Sequence, residues 1–183
     1  MVKRITIAAG MLLASVASAS SGGETPYAGQ EQREIKALSA KEIQGHLNGK
    51  GMGFAKTAEL NHYPGPMHVL EQAELLQLSE KQKQRTREIL AAMKAEARRL
   101  GALYVEKERE LDRLFASGEI KKETLRSLLE QIGRLQAEIR GVHLQAHLKQ
   151  KAILTPAQVA TYDRRRGYVG GTGPSSHGHS HNH

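Results

Sequence analysis

The sequence predicts an all-α fold, a long antiparallel helical hairpin with short flanking helices, on three observations. The pentapeptide Leu-[Ser/Thr]-x-x-Gln is written twice, as Leu78-Ser79-Glu80-Lys81-Gln82 and Leu154-Thr155-Pro156-Ala157-Gln158, and each copy opens a helical pattern. Between the copies lie two long stretches with apolar residues every three or four positions, joined at Ser117-Gly118. Aromatic residues make up only 4% of the chain and Trp is absent, so aliphatic seams rather than a thick globular core must hold the helices together.

Residues 1–19 read as a secretory signal peptide. Lys3 and Arg4 precede an apolar run from Ile5 to Val16, and Ala17-Ser18-Ala19 is an A-x-A cleavage signal that places the cut after Ala19. The run is too short to span a bilayer, which takes about 20 residues. Residues 20–30 are rich in Ser and Gly and read as a flexible leader. A helical domain over 31–166 follows, then a flexible tail over 167–183.

Within the domain, Ser39 and Glu42 form a capping box: a hydroxyl accepts from an orphan helical N–H and the acid three residues on reaches back. This predicts a short helix to about Asn48, broken by Gly49, Gly51 and Gly53. Phe54 to Leu60 suits another short helix, stopped at Asn61 and at Tyr63-Pro64-Gly65-Pro66. Helix resumes at Pro66, a favourable first-turn residue, and is expected to run through Leu76.

The two Leu-[Ser/Thr]-x-x-Gln motifs cap the long elements by the same chemistry: Leu78, Ser79 and Gln82 before one helix, Leu154, Thr155 and Gln158 before the last. Glu80 to Phe115 contains no Pro and spaces Ile89, Met93, Ala97, Leu100, Tyr104, Leu111 and Phe115 at helical intervals. At 1.5 Å per residue it would be about 54 Å long. Lys121 to Ile153 returns with Leu125, Leu128, Ile132, Leu135, Ile139, Val142 and Ala146 in alternating steps of three and four, a coiled-coil type of seam. A short connection between two long helices makes them antiparallel neighbours. The last helix runs to about Arg166, where Arg164, Arg165 and Arg166 complement the helix dipole or offer a docking patch to an acidic partner.

Composition excludes several functions. With no Cys there are no disulfides, no thiol catalysis and no thiolate metal site, so a metal must be held by His, Met, carboxylate or backbone oxygen. The formal charge of +8 suits acidic partners, among them anionic lipid headgroups and acidic segments of unfolded proteins. Export argues against nucleic acid as the partner, and beyond the leader nothing is apolar enough to span a membrane. Neither H-E-x-x-H nor G-x-S-x-G occurs, and carboxylates such as Glu106, Glu108, Glu110 and Asp112 read as a solvated helix face. The expectation is a protein that binds rather than an enzyme.

Three segments carry metal-ligating side chains. In the tail, His177, His179, His181 and His183 place an imidazole at every second position of a flexible chain, which can wrap one Ni²⁺, Cu²⁺ or Zn²⁺. His143 and His147, at i and i+4, share one helix face and flank the apolar seam; as semi-exposed polar residues on a helix shoulder they need no ligand. If the hairpin turns at Ser117-Gly118, however, Met93 comes opposite them with Glu96 and Glu88 within about a turn, a plausible transition-metal set. The segment His62-Tyr63-Pro64-Gly65-Pro66-Met67-His68 reads first as a structural corner with Tyr63 packed on the helices. Copper ligation is its alternative, strengthened if Met52 and Met67 approach each other.

The paired motifs on an exported, cysteine-free helical chain resemble the LTxxQ family of periplasmic proteins, which includes the CpxP and Spy stress proteins and the ZraP-like and CnrX-like metal-responsive proteins. The first copy departs from the pattern with Ser79 for Thr, which keeps the capping chemistry. The resemblance covers roughly Leu78 to Arg166. It implies an all-helical periplasmic homodimer that acts by binding. Spy-like members hold unfolded clients without ATP, CpxP-like members also dampen a membrane sensor of envelope stress, and ZraP-like and CnrX-like members bind zinc, nickel, cobalt or copper. The sequence-based expectation is therefore a periplasmic stress or heavy-metal-resistance accessory protein, a sensor or carrier of a divalent transition metal (Zn, Ni, Co or Cu). ATP-independent chaperone action is the alternative. A two-helix hairpin has little core of its own, which independently favours a second copy covering part of its apolar face.

Overall fold

The computed structural model describes residues 25–168. A 3-10 turn at Gln30–Gln32 leads into six helices: α1 (Ala40–Leu47), α2 (Lys56–Glu59), α3 (Pro66–Glu71), α4 (Glu80–Ala116), α5 (Lys122–Ile153) and α6 (Pro156–Arg166). Among the described residues there is no strand, only one isolated bridge between Ile35 and Leu38. Residues 1–19, read on sequence as a signal peptide, and the histidines of the tail lie outside the described residues.

The hairpin forms as its periodicity predicts. α4 and α5 pack along their length and turn at Ser117-Gly118, where Gly118 has φ 71°. Leu128, Ile132, Ile139 and Ala146 of α5 and Ala97, Leu100, Tyr104 and Val105 of α4 are buried, and Ile132 and Ile139 share the main core with Leu100, Tyr104 and Val105. Phe115 departs from the expected seam: beside the turn of the hairpin it is 56% exposed. No helix of the described residues is long and apolar enough to cross a membrane.

All three capping boxes are made, at Ser39–Glu42, Ser79–Gln82 and Thr155–Gln158. The two glutamines do more than cap. Each Oε1 accepts from the N–H of its own cap residue, Ser79 at 3.0 Å and Thr155 at 2.9 Å. Gln82 Nε2 donates to Gln158 Oε1 at 2.8 Å and to the carbonyl of Ile153, the last residue of α5, at 2.9 Å. Gln158 Nε2 donates to the Leu76 carbonyl at 3.1 Å and to Gln82 Oε1 at 3.2 Å. The motifs thus clasp each other and join the start of α4 to the start of α6. Leu78 and Leu154 flank the clasp in a small core with Val69, Leu76 and Tyr162.

Residues 31–77 form a second layer over the hairpin. Ile35, Leu38 and Ile43 are buried in the main core with Leu100, Tyr104, Val105, Ile132 and Ile139, each apolar side chain contributing about 1.5–3 kcal/mol. Lys36 anchors this layer through its N–H and its ammonium to the Asp112 carboxylate, at 2.9 and 3.1 Å. α1 crosses α4 at Gly101, where a Cβ would stand 2.3 Å from the His46 carbonyl oxygen. A side chain there would push α1 off the hairpin.

Three boundaries differ from expectation. α3 ends at Glu71 instead of continuing through Leu76. The chain leaves the helix through turns, with Gln77 at φ 48°, and so delivers Leu76 and Leu78 to the small core around Tyr162. A straight helix would have carried Leu76 past it. Residues 25–30, assigned to the leader, form turns, with Gln30 Nε2 donating to the Pro26 carbonyl at 2.8 Å. The fold also continues past Arg166: the Tyr168 hydroxyl donates to Glu59 Oε1 at 3.0 Å.

Candidate metal centre

A cavity of about 500 Å³ opens where the 48–68 segment crosses the hairpin. Three helices and a loop supply its charged and donor side chains: His143 and His147 from α5, Met93 and Lys94 from α4, Met67 and His68 from α3, and Lys50 from the loop before α2. Met93 and the histidine pair, joined on sequence by the hairpin register, therefore share one cavity.

The second layer changes the character of the pair. His143 is 3% exposed and His147 8%, so neither is the semi-exposed shoulder residue that the hairpin alone suggests. The sequence places them beside the seam, and the 54–68 segment then roofs that shoulder. Phe54 stacks on the His143 ring with centroids 5.9 Å apart. Gly65 passes so close to His147 that a Cβ would lie 3.0 Å from its ring.

Hydrogen bonding sets the tautomer of His147. Its Nδ1 lies 2.7 Å from the Tyr63 carbonyl, which can only accept, so Nδ1 carries the proton and Nε2 keeps its lone pair. A carbonyl behind the imidazole is the usual device for fixing a ligating ring. Tyr63 is itself held by Lys151, whose ammonium sits 3.8 Å from the centre of its ring. His143 Nε2 is buried with no hydrogen-bond partner. Burial, and secondarily the neighbouring His147, hold the His143 pKa below the usual imidazole value, which keeps it neutral and able to donate. An orphaned buried nitrogen beside a second imidazole and a thioether fits a transition metal ion.

Glu96 and Glu88 are placed elsewhere. Glu96 and Glu88 line a second hollow, which Met93 also borders but neither histidine does, and the Glu96 carboxylate grips Arg99 at 2.6 and 2.9 Å. Glu88 bonds Gln84 and Arg85. Met52 packs its sulfur on Gly45 and is not part of the cavity lining, whereas Met67 is. Among the described residues, no three His, Asp or Glu side chains converge as a group to hold an ion.

Sequence reading missed Glu59. It stands half-buried behind His147, with Oε2 3.7 Å from Nδ1. Its Oε1 accepts from the hydroxyls of Tyr162 at 2.5 Å and Tyr168 at 3.0 Å and from Arg166 at 3.3 Å. One carboxylate thus ties the end of α2 to α6 and stands against a cavity residue. His62 was part of the corner segment on sequence; it pairs with buried Asp163 at 2.9 Å and fastens that corner to α6. The segment is both corner and cavity wall.

A family model described as heavy-metal resistance matches residues 51–161, which contain the hairpin, both motifs and most of the cavity lining. No curated protein matches this chain. No solved structure matches it.

Proposed function

We propose that this chain, which belongs to the heavy-metal resistance family, is an exported, non-enzymatic accessory protein of metal resistance that holds a transition metal ion in the cavity lined by His143, His147 and Met93. The observation that carries this reading is the donor pair on α5. One imidazole has its ligating nitrogen freed by a carbonyl behind it, and the other has a buried nitrogen with no partner. Leaving such a nitrogen unpaired costs about 1–3 kcal/mol, which an ion would recover. Export to the periplasm is supported by the leader, and sensor or carrier action by the family.

The test is thermal. An ion that binds the folded state raises its melting temperature by mass action. Saturating metal should stabilise the protein, and His147→Ala should abolish most of that gain. Equal stabilisation of the variant would remove the cavity from the account.

A second reading rests on exposed apolar side chains. Leu103, Phe115 and Leu129 are 46%, 56% and 51% exposed on the hairpin. A second copy can cover them in a homodimer, or they can hold an unfolded client against a basic surface. Sedimentation gives a dimer in the first case. In the second, the metal-free protein slows aggregation of an unfolding test protein, and high salt weakens the effect on acidic clients.

A further inference from the structure

The donor set of the cavity bears on which ion it takes. Around His143 and His147 the lining brings a third imidazole, His68, two thioethers, Met93 and Met67, and no carboxylate. The charged side chains in that lining are Lys50 and Lys94, both cationic. Two nearby carboxylates are already committed. Glu59 approaches the protonated face of His147 and accepts from Tyr162, Tyr168 and Arg166. Glu71 holds His68 Nδ1 at 2.7 Å.

This environment discriminates by charge and by softness. Zinc, nickel and cobalt dications are held by several N, O or thiolate ligands, commonly with an anionic one. Here no three His, Asp or Glu side chains converge among the described residues. The cost of desolvating an ion rises with the square of its charge, and nothing anionic in the lining offsets it for a dication. Lys50 and Lys94 oppose a dication more strongly than a monocation. A soft monovalent ion has the opposite needs. It accepts few ligands, prefers thioether sulfur and neutral imidazole, and requires no counter-charge.

Resting on the reading of this cavity as a metal centre, we propose that its ion is copper(I), bound by the imidazoles of His143 and His147 and the thioether of Met93, with Met67 as a further sulfur donor. This departs from the divalent ion expected on sequence. On sequence the set is His143, His147, Met93 and Glu96. Only the fold brings Met67 of α3 into one cavity with Met93, and only the fold commits Glu96 to Arg99.

The test uses the full chain carrying His177, His179, His181 and His183→Ala, so that the tail does not compete. Under anaerobic conditions copper(I) is titrated against a chromophoric copper(I) chelator, and Zn²⁺, Ni²⁺ and Co²⁺ are titrated in parallel. Met93→Leu and Met67→Leu keep volume and apolarity and should fold as the parent does, which circular dichroism checks. Met93→Leu should weaken copper(I) at least about tenfold, the scale of losing one metal-site interaction, while moving divalent affinities by less. X-ray absorption of the copper-loaded parent should show sulfur scattering that the double Met variant lacks. If copper(I) affinity and its absorption spectrum are unchanged in both Met variants, the copper(I) assignment falls. In that event divalent binding that still needs His143 and His147 would leave the metal centre standing. If no ion of either charge depends on the two histidines, the centre falls with it.

Discussion

Gln82 and Gln158 each donate an amide N–H to the other's carbonyl oxygen, at 2.8 and 3.2 Å, while both still cap their own helices. This explains why the motif carries Gln where a capping box alone would accept Glu. The oxygen serves the cap, and the NH₂ serves the partner and a helix-ending carbonyl. A carboxylate has no hydrogen to give.

Gln158→Glu should therefore destabilise the fold although it preserves the capping box. The Leu76 carbonyl would lose its donor and a carboxylate would face Gln82 Oε1. The expected loss is about 1–3 kcal/mol, comparable to or above that of Thr155→Ala at the cap. Denaturant melts of the two variants decide the matter. A Gln158→Glu midpoint equal to that of the parent would reduce the motif to two independent caps.

The hairpin and its caps were legible in the sequence because each signal is local: a seam repeating every three or four residues, and a hydroxyl three residues before an amide or acid. The crossing layer was not. Ile35, Leu38, Ile43 and Phe54 are too sparse and irregular to announce a buried face, and their elements are short enough to depend on the hairpin for a partner. That single gap accounts for the main error at the site. Without the layer, His143 and His147 look semi-exposed; beneath it they are buried and enclose a cavity. Glu96 failed to join them for a reason visible only in side-chain geometry: Arg99, one turn on, holds it.

Gly101→Ala tests the crossing. In an isolated helix this change gains up to about 1 kcal/mol in propensity. Here the methyl would meet the His46 carbonyl oxygen at 2.3 Å, and a backbone atom cannot swing aside. The net effect should be a clear loss of stability, read by thermal melting. A rise in melting temperature would mean that α1 does not seat on α4.

The seam has unequal positions. Ile139 is 2% exposed, whereas Leu135 packs only at the margin of the core. Ile139→Asp should be severe, since it buries a charge with no partner, and Leu135→Asp should be the milder of the two. Reversal of that order in urea midpoints would shift the hairpin register.

Acid should weaken the metal-free fold through two histidines. Burial lowers the pKa of both His46 and His143 below 6.5. As pH falls through about 6.5 the unfolded chain takes up protons first, so stability declines from there toward the lower folded-state values. Above that range the contribution is constant. Urea unfolding from pH 7.5 to 5 should show the decline, and His46→Gln with His143→Gln should flatten it. An undiminished pH slope in that double variant would assign the decline to other groups.

The most direct measurement of the central claim is a metal titration of three full-length proteins: the parent, a form with His177, His179, His181 and His183 replaced by Ala, and a form with His143 and His147 replaced by Ala. The tail variant should lose the loose, multi-metal component and keep one tight site. That site should weaken in acid, where protons compete for the imidazoles. The α5 variant should show the converse pattern. If replacing the tail histidines removes all binding, the cavity holds no metal and His143 and His147 are simply buried polar residues.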